Sequence, residues 1–128
     1  MKAPVVIVTG AADGIGWATA QQLAASGWSV ALMDLNGALA TERAQSLGPQ
    51  HSGWACDVTD ADAVRERVAE VVARHGRIDA LINNAGIADQ TAPTLEQTAE
   101  AFDRVLGAPA GRIFDVAAGD RADAAPAA

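Results

Sequence analysis

The sequence predicts an α/β protein built on one doubly wound parallel sheet. Short β-branched runs, bounded by Gly, Pro or Asn, alternate with longer stretches whose apolar residues recur at helical spacing. Runs that are apolar at every position suit strands buried on both faces of a parallel sheet. Successive strand–helix repeats require right-handed crossovers, and the expected strand order is 3-2-1-4.

The first repeat carries the strongest strand signal. The β-branched run at residues 5–8 lies between Pro4 and Thr9, and a glycine-rich loop follows it. A helix is predicted over residues 15–25, and a second strand over 28–33 ends at an aspartate. These segments form a βαβ unit, the basic element of a parallel sheet.

The next two repeats are defined by the starts of their helices. Asn36 is expected to cap a helix, and residues 53–56 form a weaker third strand. Thr59 and Asp62 are predicted to form the capping box of the clearest helix in the chain. That helix has one apolar stripe, which consists of Ala61, Val64, Val68, Val71 and Val72.

The fourth repeat leads into a stretch of different character. A strand over residues 78–82 is broken by the segment 83–86, and a helix is predicted over 94–106. Residues 112–116 have the pattern of a short fifth strand. The stretch 117–128 is mostly Ala, Asp, Gly and Pro, so it has little to bury and is expected to be disordered.

Composition argues against several kinds of protein. A formal net charge of −7 and a pI near 4.5 do not suit nucleic acid or an anionic membrane surface. The single Cys56 excludes an internal disulfide, and His51 and His75 are too few and too isolated for zinc. The first residues lack the pattern of a signal peptide, and no apolar run is long enough to span a membrane. A soluble cytoplasmic protein without a bound metal is expected.

The loop between the first strand and the first helix is a candidate binding site. Gly10, Gly14 and Gly16 lie where a strand gives way to a helix. The N-terminus of a helix offers unpaired N–H groups to a pyrophosphate, and glycine lets the backbone approach the phosphates closely. The alternative is an ordinary flexible turn, because a glycine cluster alone is a weak signal.

Asp34 favours the binding-site interpretation. It lies 20 residues after Gly14, at the end of the second predicted strand. A carboxylate there can accept hydrogen bonds from the hydroxyls of an adenosine ribose, and it would repel a 2′-phosphate. The alternative is a solvated aspartate at a strand end.

Taken together, these segments resemble the short-chain dehydrogenase/reductase family over roughly residues 4–106. The similarity lies in Thr9-Gly10-x-x-x-Gly14-x-Gly16, in Asn83-Asn84-Ala85-Gly86, in Asp57-Val58 and in Asp79. The resemblance implies a Rossmann fold and a nicotinamide dinucleotide cofactor. It makes residues 1–106 the NAD-binding domain and 107–128 a divergent, low-complexity tail.

The family pattern implies a role for each matching position around the phosphates and the nicotinamide. Gly10, Gly14 and Gly16 would line the phosphates, and the backbone at Ile15 would lie near the nicotinamide side. The segment Asn84-Ala85-Gly86 would pass under the cofactor.

On the adenosine side, the resemblance implies that Asp34 binds the ribose, with Leu35 next to it in the predicted site. Asp57 would meet the adenine amino group, and Val58 would lie beside the ring. Family members that prefer NADP often carry Arg or Lys where this chain has Asp13. Since two carboxylates would lie near a 2′-phosphate, the sequence predicts NAD as the cofactor, with NADP less favoured.

The catalytic residues of the family have no match in these 128 residues. The family uses a Tyr as general acid/base, supported by a Lys, a Ser and an Asn. Here there is no Tyr, the only Lys is Lys2, no Ser follows Ser52 and no Asn follows Asn84. No catalytic residue is therefore predicted, and the fold is expected to be incomplete relative to the family.

Three hypotheses of function remain open. By resemblance, the chain is an NAD(P)-dependent oxidoreductase that transfers hydride to or from a carbonyl or alcohol carbon. Alternatively it is a cofactor-binding fragment without catalysis, from a truncated or frame-shifted gene, or a docking partner for a full-length relative. If the family's long helix is missing, strands one and four should expose apolar surface, and marginal stability or homo-oligomerisation would follow.

Overall fold

The computed structural model describes residues 3–84, 112–115 and 120–122. Strands and helices alternate along the described chain, as the sequence predicts. Their bounds are β1 (Val5–Thr9), α1 (Gly14–Ala25), β2 (Ser29–Asp34), α2 (Gly37–Leu47), β3 (Ser52–Ala55), α3 (Ala61–His75), β4 (Ala80–Asn83), β5 (Arg112–Asp115) and β6 (Asp120–Ala122).

The sheet has the strand order β3-β2-β1-β4-β5-β6. Strands β1 to β5 pair in parallel, and β6 runs antiparallel to β5. The predicted order 3-2-1-4 is confirmed, and β5 lies within the predicted stretch 112–116. Strand β6 is a correction, because Asp120–Ala122 falls in the stretch 117–128 that was expected to be disordered. Strand pairing uses backbone groups, so a segment with little to bury can still join the edge of a sheet.

Helices cover β1 from both sides, which corrects the expectation of an exposed apolar face. One core cluster joins β1 to α3 and includes Val5, Ile7, Val64, Val68 and Val71. The other joins β1 to α1 and α2 and includes Val6, Val8, Ala20, Ala40 and Ala44. None of residues 5–8 is more than 2% exposed, and Leu81 of β4 is 1% exposed. Alternate side chains of β1 thus enter two separate cores.

Aspartate and asparagine side chains set the starts of the helices. Asn36 caps α2, as predicted, by accepting a hydrogen bond from a first-turn amide at 3.1 Å. Helix α3 is capped by Asp60 rather than by Thr59, since the Asp60 carboxylate accepts from two first-turn amides at 3.1 and 3.2 Å. The Thr59 hydroxyl donates instead to Asp57, at 2.7 Å.

Several predicted features lie outside the described residues. They are the helix over 94–106 and the site residues Ala85 and Gly86. Of the helices that the structure describes, none combines the length and the apolar character needed to cross a membrane.

Candidate functional site

The carboxyl ends of β1, β2 and β4 meet at one edge of the sheet, which we call the carboxyl edge. Because these strands are parallel, Thr9, Asp34 and Asn83 end neighbouring strands at this edge. The loop of residues 10–13 leaves β1 there and enters α1. In open parallel sheets, this edge is where ligands bind.

Glycine is required in this loop for two different reasons. Gly10 and Gly14 have φ angles of +62° and +59°, in the left-handed region that other residues seldom adopt. Gly16 is required by close packing. A Cβ atom there would overlap the carbonyl group of Gly10 and lie 2.8 Å from Nδ2 of Asn84. The first turn of α1 therefore packs directly against the loop.

Three hydrogen bonds fix the middle of the loop to β2 and α2. The Ala11 amide donates to the Met33 carbonyl at 3.1 Å, and the Ala12 amide donates to Oδ2 of Asp34 at 3.0 Å. From α2, Nε of Arg43 donates to the Ala12 carbonyl at 3.1 Å. Both backbone polar groups of Ala12 are thus bound within the protein.

Asp34 has a structural role that the sequence did not reveal. Its Oδ2 accepts from Ala12, and its Oδ1 accepts from the amide of Asn36 at 2.9 Å. The side chain is half-buried at the end of β2. A carboxylate oxygen can accept more than one hydrogen bond. The same group can therefore hold the loop in place and still accept from the hydroxyls of a ligand.

Asp13 places a second carboxylate at the start of α1. Its backbone is extended, and its Oδ1 accepts from the Gly14 amide at 2.9 Å. The side chain is exposed to solvent. A negative charge here complements the positive end of the helix, and it also lies where an anionic ligand would approach.

Asn84 carries a buried acceptor that lacks a hydrogen-bond partner. The Thr9 hydroxyl donates to Oδ1 of Asn83 at 3.0 Å and accepts from the Asn84 amide at 2.8 Å. Nδ2 of Asn84 donates to the Gly10 carbonyl at 3.4 Å. Oδ1 of Asn84 has no partner within the described part of the chain, although the residue is only 6% exposed. A buried acceptor left unpaired destabilises the fold, so this atom is available to a ligand hydroxyl or amide.

Two large apolar side chains project into solvent at this edge. Ile15 is 62% exposed and Leu35 is 76% exposed. They follow, respectively, the glycine-rich loop and Asp34, so both flank the candidate site. Exposed apolar side chains beside polar loop groups suit contact with the rings of a ligand.

The end of β3 adds Asp57 and Val58 to the same edge. The backbone amide of Cys56 donates to the Asp34 carbonyl at 2.9 Å, which ties this segment to the end of β2. Asp57 is exposed, and hydrogen bonds from the hydroxyl and amide of Thr59 hold its pKa below the ordinary range. Burial raises the pKa of the Cys56 thiol to about 11, so this cysteine is protonated at neutral pH and packs in the core.

The predicted site residues that the structure describes therefore lie at the same edge of the sheet, and Ala85 and Gly86 lie outside the described residues. Sequence reasoning did not single out Arg43, whose guanidinium lies 5.0 Å from the ring centroid of Trp17. Its signal in the sequence is weak, because it is one charged residue on the face of α2 that also carries buried alanines. No group of three or more metal-ligating side chains occurs among the described residues.

The geometry of these residues fits a nicotinamide dinucleotide. The amides of Gly14, Ile15 and Gly16 begin α1, and Gly16 packs tightly against the glycine-rich loop. Oδ1 of Asn84 is an unpaired acceptor, and the Asp34 carboxylate lies at the end of β2. These groups offer donors to an anion at one place and acceptors to hydroxyl groups at two others.

A family model described as short chain dehydrogenase matches residues 4–109. D-threitol dehydrogenase from Mycolicibacterium smegmatis is 44% identical over 105 residues, which are 80% of this chain and 40% of that protein. Sorbitol dehydrogenase from Cereibacter sphaeroides is 41% identical over 100 residues, 78% of this chain and 39% of that protein.

A solved structure shows the same fold. The crystal structure of 3-ketoacyl-(acyl-carrier-protein) reductase from Brucella melitensis complexed with NADH matches with a TM-score of 0.65 and 32% identity. The match covers 83% of this chain and 43% of that one. The chain spans about two fifths of the length of the curated relatives it matches.

Proposed function

The chain belongs to the short-chain dehydrogenase family, and we propose that it forms the NAD-binding part of an oxidoreductase. The main support for this proposal is the position of the Asp34 carboxylate. It lies at the end of β2 and accepts a hydrogen bond from the glycine-rich loop at 3.0 Å. When bound, the cofactor supplies a carbon that accepts or releases hydride. The protein supplies binding and orientation.

Asp34 is proposed to hold the adenosine ribose. Its two oxygens are fixed by backbone amides at 2.9 and 3.0 Å, so the carboxylate has a defined direction before any ligand arrives. Fixed acceptors bind a pair of hydroxyl groups without the entropic cost of ordering a free side chain. Asp57 and Val58 are proposed to line the adenine, because the end of β3 is hydrogen-bonded to the end of β2.

The phosphates are proposed to bind at the first turn of α1. The initial amides of an α-helix have no acceptor within the helix, and here they belong to Gly14, Ile15 and Gly16. The Gly14 amide is occupied by the side chain of Asp13, which a pyrophosphate would have to displace or approach from another side. The close packing of Gly16 on Gly10 fixes the first turn of α1 against the loop.

The nicotinamide end is proposed to lie near Asn84 and Ile15. Oδ1 of Asn84 is a buried acceptor without a partner in the described chain, and Thr9 holds the Asn84 backbone at 2.8 Å. Ile15 supplies an exposed apolar surface in the first turn of α1. Ala85 and Gly86 complete this part of the proposal from outside the described residues.

NAD is proposed over NADP on electrostatic grounds. Asp13 and Asp34 place two carboxylates beside the loop, and the 2′-phosphate of NADP carries a further negative charge. At an effective dielectric constant of about 20, like charges about 4 Å apart repel by about 4 kcal/mol before screening by salt. That repulsion falls on NADP alone.

These 128 residues are proposed to bind the cofactor without turning it over. They contain no Tyr, and a Tyr is the general acid/base that the family resemblance implies. The relatives named above are, by their names, dehydrogenases of D-threitol and sorbitol. A sugar alcohol is accordingly the substrate class proposed for a longer protein that contains this chain.

Fluorescence titration with NADH and NADPH tests the binding proposal. We expect saturable binding of NADH, with affinity about tenfold or more above that of NADPH, since removing one like-charge repulsion is worth at least about 1.4 kcal/mol. Absence of NADH binding at millimolar concentration would overturn the proposal. Equal affinities would overturn the preference for NAD alone.

An assay with NAD and two sugar alcohols, D-threitol and sorbitol, separates binding from catalysis. We expect no turnover by these 128 residues. Turnover that disappears in Asp34→Ala would show that the chain is an enzyme in its own right, with an acid/base group other than tyrosine.

A further inference from the structure

We propose that Arg43 is a positioning residue for the phosphates of the cofactor. Although it lies on α2, its side chain fixes the direction of one peptide unit in the glycine-rich loop. The proposal rests on the proposed function, because it concerns the same dinucleotide site.

Arg43 is held in place by two contacts, one to the glycine-rich loop and one to α1. Its Nε donates to the Ala12 carbonyl at 3.1 Å, just before α1 begins. Its guanidinium also lies over the ring of Trp17, 5.0 Å from the centroid, one turn into α1. The side chain is half-buried, so solvent screens both contacts less than at an open surface. Arg43 therefore connects α2 to the loop and to the helix that the loop begins.

The consequence for the loop follows from the geometry of the peptide bond. The Ala12 carbonyl and the Asp13 amide belong to one planar peptide unit, and no described peptide bond is cis. In a trans peptide the C=O and N–H point in opposite directions. Since Arg43 holds the carbonyl on the side of α2, the Asp13 N–H must point away from α2. Asp13 is the N-cap of α1, so this amide joins the first donors of the helix.

The other side of Ala12 is fixed independently. Its own amide donates to Asp34 at 3.0 Å, so Asp34 sets one peptide unit and Arg43 sets the next. Ala12 is 1% exposed, and its carbonyl would lose this bond if Arg43 were absent. The freed peptide could then rotate to find water, which would turn the Asp13 amide away from its present direction.

Lysine cannot replace arginine in this arrangement. Arg43 uses one N–H for the carbonyl while the flat guanidinium covers the indole, whereas a lysine ends in one compact ammonium group on a flexible stem. Arg43→Lys keeps the positive charge and loses the two simultaneous contacts. It therefore separates positioning of the loop from simple attraction of an anion.

The test compares Arg43→Ala and Arg43→Lys with Arg74→Ala. Arg74 also donates to a backbone carbonyl, that of His51 at 3.3 Å, but at the opposite edge of the sheet. Each protein is titrated with NADH, and ADP and adenosine are measured as competitors. We expect both Arg43 variants to lose about five- to tenfold in affinity for NADH and ADP, in line with the loss of one typical hydrogen bond. Adenosine affinity should be unchanged, and Arg74→Ala should match the parent throughout.

The outcomes are distinguishable. If all three ligands weaken together in Arg43→Ala, the residue has only a structural role and the proposal is wrong. If Arg43→Lys binds like the parent, charge alone matters and the proposal is again wrong. If the parent protein binds neither NADH nor ADP, the proposed function itself fails. If the parent binds both and Arg43→Ala is unaffected, only the role of Arg43 fails.

Discussion

The two edges of the sheet carry similar polar side chains and use them differently. At the amino edge, where β1 to β4 begin, most polar side chains bind one another or the backbone, although the buried Nε2 of His51 has no partner among the described residues. Asp79 accepts from the Val5 amide at 2.8 Å and forms a two-point ion pair with Arg77 at 2.7 and 2.8 Å. The Arg77 guanidinium holds the pKa of Asp79 below its ordinary range. These groups fasten strands together.

A second network at the amino edge joins the buried His51 and Ser52 to the half-buried Trp54 and His75. Ser52 accepts from the indole N–H of Trp54 at 2.7 Å and shares a 2.8 Å hydrogen bond with His75. Nδ1 of His51 accepts from the Val30 amide at 3.0 Å. These bonds lie within β3, join β3 to α3, or join β2 to the residue that precedes β3, so the network stabilises the sheet.

The carboxyl edge keeps hydrogen-bond acceptors that can still bind a ligand. Asp34 binds two amides and can accept more, Asp13 is exposed, and Oδ1 of Asn84 has no partner within the described residues. Parallel topology explains the difference, because the loops that begin each helix lie at this edge and bring unpaired amides with them. Asp34 and Asp79 make similar hydrogen bonds, and they differ in function because they lie at opposite edges of the sheet.

The largest expected effect comes from replacing Gly16, the closely packed glycine at the carboxyl edge. Gly16→Ala should abolish NADH binding, because the new Cβ would overlap the Gly10 carbonyl and lie 2.8 Å from Asn84. Unfolding should become easier by about 1–3 kcal/mol, which is usual for overpacking. Thermal melts and NADH titrations measure the two effects.

The matched change at the other edge is Gly27→Ala. Gly27 has a φ of +98° and no atom within 4 Å of a built Cβ, so this variant meets backbone strain without overlap. It should lose about 1–2 kcal/mol of stability and keep its affinity for NADH. If Gly16→Ala binds NADH as Gly27→Ala does, the proposed site is in the wrong place.

Much of the fold and of the candidate site at the carboxyl edge was predictable from the sequence, and the exceptions have physical causes. The alternation of strands and helices predicted the strand order, and the spacing of Gly10, Gly14 and Asp34 predicted the candidate site, because both depend on local patterns. The bond from Arg43 to Ala12 joins residues 31 apart in sequence, so no local pattern reports it. Strand β6 pairs with β5 through backbone groups, and composition does not report such pairing.

The next effect compares the two aspartates directly. Asp34→Ala should weaken NADH binding about tenfold or more, because a charged acceptor with fixed hydrogen bonds is worth at least about 1.4 kcal/mol. NADPH should lose less, since one source of repulsion is removed at the same time. Asp79→Ala should destabilise the fold by about 1–2 kcal/mol and leave NADH affinity unchanged. Equal losses of NADH affinity in both variants would mean that Asp34 acts through stability only.

Acid should weaken the amino edge before it affects ligand contacts. His51 must be unprotonated at Nδ1 to accept from Val30, and burial lowers its pKa. Burial also lowers the pKa of His75, and the charges of Arg74 and His51 add to the shift. Because both folded pKa values lie below the unfolded value of 6.5, the unfolded chain binds more protons. Stability is then fully present above pH 6.5 and falls as the pH drops below it.

Urea unfolding at pH 7.5, 6.5 and 5.5 measures this loss. We expect the free energy of unfolding to decrease at the lowest pH, by less than in Asp79→Ala, and NADH affinity of the folded protein to stay constant. His51→Gln and His75→Gln should each flatten part of the dependence. A free energy that is constant or rises toward pH 5.5 would show that these histidines bind protons equally well in the folded and unfolded chain.

The smallest effect concerns the exposed carboxylate at the start of α1. Asp13→Asn keeps an acceptor for the Gly14 amide, which the aspartate now binds at 2.9 Å, and removes one negative charge. NADH affinity should rise about two- to threefold at low salt and less at high salt, as expected for an exposed charge. The gain should be larger for NADPH, whose 2′-phosphate adds charge. Asp60→Asn is the control, because Asp60 caps α3 with the same chemistry. If both variants bind NADH equally, Asp13 does not face the phosphates, and the preference for NAD would rest on Asp34 alone.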